Sequence, residues 1–249
     1  MRVRLEKGAQ TTQLHSIRTT TDTCCTDITQ PYIPGEKTMI SDELYQNYLT
    51  MLLEGNRRGC LDTVQTLLKE GVEIKLLYTE IFQKSMYQVG ELWEHNKISV
   101  AREHLATDIT EGMLSAVYPS LFTGKQAARK AVITCAANEY HQLGGKMVAD
   151  FFELHGWDSY FLGANTPIDQ LTSFVDEIKP DLVGLSLAVY FNLPAFKVFL
   201  DELRSTFPAL TILVGGHAFI WGGDDFCKHY PGISYMPSLN ELERTILSY

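Results

Sequence analysis

The sequence of 249 residues lacks several features that mark particular classes of protein. No run approaches the roughly 20 apolar residues of a membrane-spanning helix, and the N-terminus has no apolar signal segment. The five cysteines are odd in number, scattered and without a C-x-x-C pair, which disfavours a disulfide framework and a zinc module. We therefore expect a cytoplasmic protein with reduced thiols and no membrane partner.

Long basic runs are also missing, and the formal net charge is -9. This sign disfavours a surface that follows the phosphates of nucleic acid, so we expect no direct nucleic-acid partner. Residues 1–40 are rich in Thr, Asp and Pro without an apolar period, which predicts a disordered or mobile tail. No pair of helices with its own core, as a DNA-reading domain needs, is predicted before residue 41.

From residue 41 to residue 122 the apolar residues follow a helical period, and the overall hydrophobic content of 45% is ample for a core. Ser41 has a side chain suited to an N-cap, and the apolar stripe of the third segment ends at Trp93. Four such segments with short connections predict a four-helix bundle.

After a polar linker, the pattern changes over residues 129–249. Short β-rich runs alternate with helix-length segments about five times, which predicts a five-stranded, mostly parallel sheet with helices on both faces. The predicted fold class is therefore α + α/β, a bundle followed by a Rossmann-like or flavodoxin-like domain. In such domains ligands bind at the carboxyl ends of the strands, here the loops after Ala136, Leu187 and Val214.

Three short segments occupy these loops: residues 138–144 with the letters NEYHQLG, residues 186–188 with SLA, and the pair Gly215-Gly216. Between the first and second lie 41 residues, and between the second and third lie 26. Singly, each has an ordinary explanation, since a loop histidine is usually a cap or surface residue and Gly-Gly is usually a turn. Jointly, the spacings favour one binding site.

The combination resembles the cobalamin-binding domain family, whose motif is D-x-H-x-x-G, S-x-L and G-G at similar separations. The resemblance implies that His141 is the lower axial ligand of cobalt, held by Glu139 through its other ring nitrogen. It also implies a slot for the nucleotide tail beside the sheet. The cofactor-binding candidates it suggests are Asn138, Glu139, Tyr140, His141, Gly144, Ser186, Ala188, Gly215 and Gly216.

A second constellation lies in the helical half, where nine residues separate Trp93 from Glu103-His104. Val100, Glu103 and His104 are three or four apart, so they share a helix face. Alone, this pattern is typical of a core tryptophan followed by solvated charges. Beside the downstream motif, it resembles the light-sensing cobalamin regulators of the CarH type, which implies that these four residues contact the adenosyl group of adenosylcobalamin.

The sequence departs from the family patterns at three positions. Glu139 replaces the aspartate of the general motif, as is typical of the light-sensing branch, and Ala188 replaces a leucine that contacts the ligand. Glu94 stands where that branch has a histidine that captures cobalt after photolysis. His95, the next residue, would take this role only if the helix end unwinds.

The leading hypothesis is a non-enzymatic photoreceptor that binds adenosylcobalamin and signals to a protein partner such as a transcriptional regulator. A homo-oligomer is left open, and no catalytic residue is assigned. The alternative is a corrinoid subunit that carries methyl groups between methyltransferases; such proteins usually have aspartate in place of Glu139. An antirepressor indifferent to light is a third hypothesis. A radical isomerase is least expected, because those enzymes usually include a large substrate barrel.

Overall fold

The helical half begins just before Ser41 in a computed structural model that describes residues 40–122, 128–136, 138–220, 222–230 and 232–249. Residues 1–39, almost all of the predicted tail, lie outside the described residues. Ser41 caps the first helix as predicted, because its side-chain oxygen accepts a hydrogen bond from the Leu44 amide at 3.2 Å.

Four helical rods form the bundle, which confirms the predicted count for this part of the chain. A π-helical segment, Leu77–Gln83, joins two α-helices without a break, and we call the three pieces together the third bundle helix. The α-helices of this half are α1 Asp42–Glu54, α2 Arg57–Lys69, α3 Ile74–Leu76, α4 Lys84–Glu94 and α5 Val100–Val117.

The second half is a five-stranded sheet with the order β2-β1-β3-β4-β5. Every neighbouring pair is parallel, so the predicted mostly parallel, flavodoxin-like sheet is confirmed. The strands are β1 Lys130–Cys135, β2 Asp158–Phe161, β3 Leu182–Ser186, β4 Thr211–Gly215 and β5 Ile233–Tyr235. The helices are α6 Leu143–Leu154, α7 Ile168–Ile178, α8 Leu193–Thr206, α9 Gly223–Lys228 and α10 Leu239–Leu247.

The sheet separates two buried apolar clusters. One face packs against α7 and α8, with Leu171 and Phe196 among the buried residues. The other packs against α6 and α10, and its cluster continues without interruption into the core of the helix bundle. The bundle therefore rests on the α6 side of the sheet.

The third bundle helix is fixed to the α/β half well below the strand ends. The Tyr78 hydroxyl donates a 2.8 Å hydrogen bond to Asp150 of α6, both residues are buried, and the Tyr78 ring lies edge-on to Phe151 with centroids 5.7 Å apart. Lys75 forms an ion pair with Glu243 of α10. We call these five residues the far junction.

From the far junction, the third bundle helix runs towards the carboxyl-terminal edge of the sheet, which we call the rim. Tyr87 reaches it, since its ring lies 6.1 Å from the ring of His217 in the loop after β4. Trp93 is six residues further along, or about 9 Å at the α-helical rise of 1.5 Å per residue. The end of α4 and the start of α5 therefore extend past the rim.

None of the helices in the described ranges has both the length and the apolar character that a bilayer crossing requires. The predicted boundary between residues 122 and 129 stays a prediction, because residues 123–127 lie outside the described part of the chain.

Candidate functional site

The three predicted loops meet at one point of the rim. Cys135 pairs with Ser186, and Ser186 pairs with Gly215, so β1, β3 and β4 end at the same level. The strand order 2-1-3 makes the chain leave β1 and β3 in opposite directions, which opens a crevice between the loops that follow them.

Glu139 bridges this crevice with a fully buried carboxylate. One oxygen accepts from the backbone amide of His141 at 2.9 Å and from its ring Nδ1 at 2.6 Å. The other accepts from the amides of Ala188 and Val189, at 2.9 and 3.0 Å. Burial alone would raise the pKa of Glu139, but the hydrogen bonds from His141, Val189 and Ala188 outweigh it and lower the pKa to about 2. The carboxylate is therefore ionised at neutral pH.

The ring of His141 is held on one side and open on the other. Nδ1 faces Glu139, while the side chain is 63% exposed and Nε2 has no hydrogen bond from any residue in the described ranges. The hydrogen bond to Glu139 raises the pKa of His141, burial opposes this, and the charges of Glu139 and Glu103 add to the increase. In the neutral tautomer with hydrogen on Nδ1, Nε2 presents a lone pair, as in histidine metal ligands held by a carboxylate.

Asn138 shapes the loop that carries this pair. Its φ of 67° lies in the left-handed region, which asparagine tolerates better than most residues. Its backbone amide donates to the Asn165 side chain at 2.8 Å, and its carbonyl accepts from the Asn192 side chain at 3.0 Å. Sequence reasoning missed Asn165 and Asn192, although both follow strands and asparagine in such loops signals local hydrogen bonding.

The glycines of the rim differ in what they contribute. Gly216 has a φ of 109°, and a Cβ there would lie 2.3 Å from the carbonyl oxygen of Leu187, so no other residue fits without a shift of the backbone. A Cβ at Gly215 would lie 3.2 Å from the carbonyl oxygen of Met236, which is tight. A Cβ at Gly144, by contrast, would have no neighbouring atom within 4 Å.

A cavity of about 270 Å³ opens beside these glycines and extends between the sheet, α6 and α10. Four of the predicted residues line it: Gly144, Ser186, Gly215 and Gly216. Its walls are mostly apolar. An apolar cleft with a few polar groups is the usual form of a small-molecule site.

The helical half presents the second predicted group above the rim. Trp93 and Val100 are 47% and 52% exposed, so Trp93 is not the core residue that its sequence pattern also allowed. Glu103 and His104 lie on the first turns of α5, with 3.6 Å between Oε2 and Nε2. The charge of Glu103 is the smallest of the contributions that raise the pKa of His141.

The positions of two further predicted residues, Tyr140 and His95, neither support nor oppose a role in binding. Tyr140, between Glu139 and His141, is two-thirds exposed. His95 caps the end of α4 with its ring Nδ1 2.8 Å from the Glu91 carbonyl oxygen, so its ring is held by its own helix. Its role after photolysis stays a prediction.

Gln142 links the two halves beside His141, and sequence reasoning missed it. Its side-chain amide donates to Glu111 of α5 at 3.1 Å. The residue therefore connects the histidine loop directly to the helix that carries Glu103.

The donor set fits a metal that arrives inside a macrocycle. Within the described residues, no cluster of three or more His, Cys, Asp or Glu side chains is arranged to hold a metal ion. His141 offers a single nitrogen, so the remaining ligands of a metal bound there must come with the cofactor, as in haem proteins. The open ring nitrogen, the buried carboxylate and the glycine-lined cavity together fit a corrinoid with its nucleotide tail displaced from cobalt.

Comparison with known families gives two matches. A B12 binding domain model matches residues 129–236, and a second model with the same description matches residues 44–118. Together they span well over half of the chain.

Two curated relatives differ in kind. The HTH-type transcriptional repressor CarH of Myxococcus xanthus is 30% identical over 142 residues, which cover 57% of this chain and 47% of the repressor. This chain thus spans about half the length of that relative. The dimethylamine corrinoid protein of Methanosarcina barkeri is 22% identical over 186 residues, covering 72% of this chain and 85% of that protein.

Among solved structures, the monomethylamine corrinoid protein of Methanosarcina barkeri has a similar fold. The TM-score is 0.72 at 17% identity, and the match covers 83% of this chain and 98% of that one. At this identity the likeness shows the fold alone.

Proposed function

Because this chain belongs to the family of proteins built from B12-binding domains, we propose that it is a light sensor that binds adenosylcobalamin between its two halves. The observation that carries this proposal is the open Nε2 of His141 at the rim, supported by the half-exposed Trp93 and Val100 of the helical half, which extends past the rim. The protein acts as a binding module and signals to another protein.

On the lower side, His141 binds cobalt through Nε2. Glu139 keeps the hydrogen on Nδ1, fixes the plane of the ring and increases its basicity. Because the carboxylate also accepts hydrogen bonds from the backbone amides of Ala188 and Val189, it sets the distance between the two loops that flank the crevice. The ligand is thus oriented before the cofactor binds.

On the upper side, the adenosyl group contacts Trp93, Val100, Glu103 and His104. When bound, adenosylcobalamin supplies a cobalt–carbon bond that light can cleave. The side chains of Trp93 and Val100 are half exposed, so they would gain packing partners in the adenosyl-bound form that they lack in the form without the adenosyl group. A ligand shifts a conformational equilibrium only through such differential contacts, so these side chains are where the signal begins.

The signal passes to a partner protein such as a transcriptional regulator. CarH is named as a transcriptional repressor, and the net charge of -9 on this chain disfavours direct contact with nucleic acid. Gln142 and Glu111 give the route within the chain, because their hydrogen bond joins the histidine loop to α5.

The decisive experiment uses the full chain loaded with adenosylcobalamin in the dark. We expect green light to change both the corrinoid absorbance and the hydrodynamic radius of the wild-type protein. His141→Ala weakens lower-side binding, and Gln88→Ala is a matched surface control on α4. Cofactor binding without any response to light would leave a cobalamin protein that is not a light sensor.

The alternative is a corrinoid protein that carries methyl groups for a methyltransferase. Its support is that the sequence match covers 85% of the dimethylamine corrinoid protein, against 47% of CarH. Tighter binding of methylcobalamin than of adenosylcobalamin, together with methyl transfer to a thiol or folate acceptor, would favour this function over light sensing.

A further inference from the structure

The cavity beside the rim has one wall that comes from the helical half. Gln83, the last residue of the π segment, and Tyr87, one turn later, both line it. Their side chains are joined by a 3.4 Å hydrogen bond from Gln83 Nε2 to the Tyr87 hydroxyl. The remaining lining belongs to the α/β half, so a ligand in this cavity touches both halves.

Polar groups are few in this cavity. Of its 21 lining residues in the described chain, none is charged and five have a side-chain nitrogen or oxygen: Gln83, Tyr87, Ser186, Tyr235 and Ser238. Ser238 caps α10 by accepting from the Glu241 amide at 3.2 Å, and Ser186 forms a side-chain hydrogen bond with Cys135. Gln83 and Tyr87 are the polar side chains that the helical half adds to the cavity.

The depth of the cavity follows from a glycine within a strand. Gly184 pairs with Ile133 on one side and Leu213 on the other, one layer below the rim. A Cβ on Gly184 would lie 2.6 Å from Ile133 Cδ1, so any side chain there would enter the cavity or displace Ile133. A glycine in the middle of a strand often marks such a close approach.

We propose that this cavity, the nucleotide slot, selects corrinoids by their lower base, accepting a benzimidazole and disfavouring a purine. The inference rests on the proposed binding of cobalamin. A displaced benzimidazole is a flat apolar bicycle with one free ring nitrogen, and the Gln83–Tyr87 pair supplies a donor for one acceptor. Adenine has three free ring nitrogens and an amino group, which need more partners than this pair supplies, and each polar atom left unpaired against the apolar walls would lower the affinity.

The test compares three corrinoids in their adenosyl forms, in the dark, by equilibrium titration with the full chain. They are cobalamin, the cobamide with adenine as lower base, and cobinamide, which has no nucleotide. We expect cobalamin to bind at least about tenfold more tightly than the adenine cobamide, because an unpaired buried polar group costs about that factor. Cobinamide should bind on the order of a hundredfold more weakly than cobalamin, since it buries no base.

Two variants locate the effect. Gln83→Ala should weaken cobalamin binding several-fold and leave cobinamide binding unchanged, whereas Gln88→Ala, on the same helix outside the slot, should change neither. Gly184→Ala should weaken both nucleotide-bearing corrinoids and spare cobinamide.

Equal affinity for cobalamin and the adenine cobamide, or for cobalamin and cobinamide, would overturn the slot inference alone. If none of the three corrinoids binds, the proposed function itself fails. If cobalamin binds selectively but light has no effect, the slot inference stands and the sensor does not.

Discussion

At the far junction the two halves of the chain share buried contacts, whereas at the rim the same third bundle helix carries exposed aromatic side chains. Tyr78, Asp150 and Phe151 are all buried and mutually in contact. Tyr87 and Trp93 are about half exposed. The bundle is therefore anchored at one end and left open at the end where the proposed cofactor enters, so stability and binding should separate along a single helix.

The largest effect on stability is expected from Phe151→Ala at the far junction. Removing a fully buried phenylalanine should cost about 3–5 kcal/mol of unfolding free energy, because it leaves a cavity as well as losing apolar burial. Phe191→Ala is the matched control, since Phe191 is 91% exposed and should change stability by less than about 0.5 kcal/mol. Similar losses in the two variants, measured by urea denaturation, would contradict the assignment of the anchor.

A smaller loss is expected from Tyr78→Phe. The substitution keeps the ring that packs on Phe151 but removes the hydroxyl that donates to Asp150, so a buried carboxyl loses this hydrogen bond at a cost of about 1–3 kcal/mol. Tyr87→Phe at the rim removes a hydroxyl from a more exposed site and should cost less than about 0.5 kcal/mol. If Tyr87→Phe proved the more destabilising of the two, the contrast between the ends would be wrong.

Asp150→Asn should increase the unfolding free energy by an amount that depends on pH. Burial raises the pKa of Asp150, and the hydrogen bond from Tyr78 and the charge of Lys146 only partly oppose this; Glu153 and Tyr118 also lie close. Because the pKa of Asp150 is higher in the folded than in the unfolded chain, the unfolding free energy of the wild type falls as the pH rises through the folded-state pKa. At a pH below both pKa values the carboxyl is protonated in both states and causes no such loss. The stability gain of the variant over the wild type should therefore grow as the pH rises from the acid range towards neutrality, and stay below about 1 kcal/mol. A gain that shrinks with rising pH would contradict this sign.

The sequence predicted the fold and the rim well because both follow from local signals. Strand and helix periods determine which loops reach the carboxyl edge, and the spacing of Glu139, His141 and Ser186 follows from that geometry. The Tyr78–Asp150 contact was not predicted, because it joins residues 72 apart in the chain, and an apolar period within one helix does not identify its partner on another helix. The role of Gly184 in shaping the cavity was not predicted either, because it depends on the position of Ile133 on the neighbouring strand.

The smallest effect on stability is expected from Trp93→Ala, which should change the unfolding free energy of the cofactor-free chain by less than about 0.5 kcal/mol because the side chain is about half exposed. The same substitution should weaken binding of adenosylcobalamin while leaving hydroxocobalamin, which has no adenosyl group, unchanged. Phe122→Ala, another half-exposed aromatic of the helical half, should change neither affinity. Parallel titrations and urea denaturation measure all three quantities. Equal weakening of both corrinoids, or a stability loss above about 2 kcal/mol, would place Trp93 with the anchoring residues and remove the distinction between the two ends of the helix.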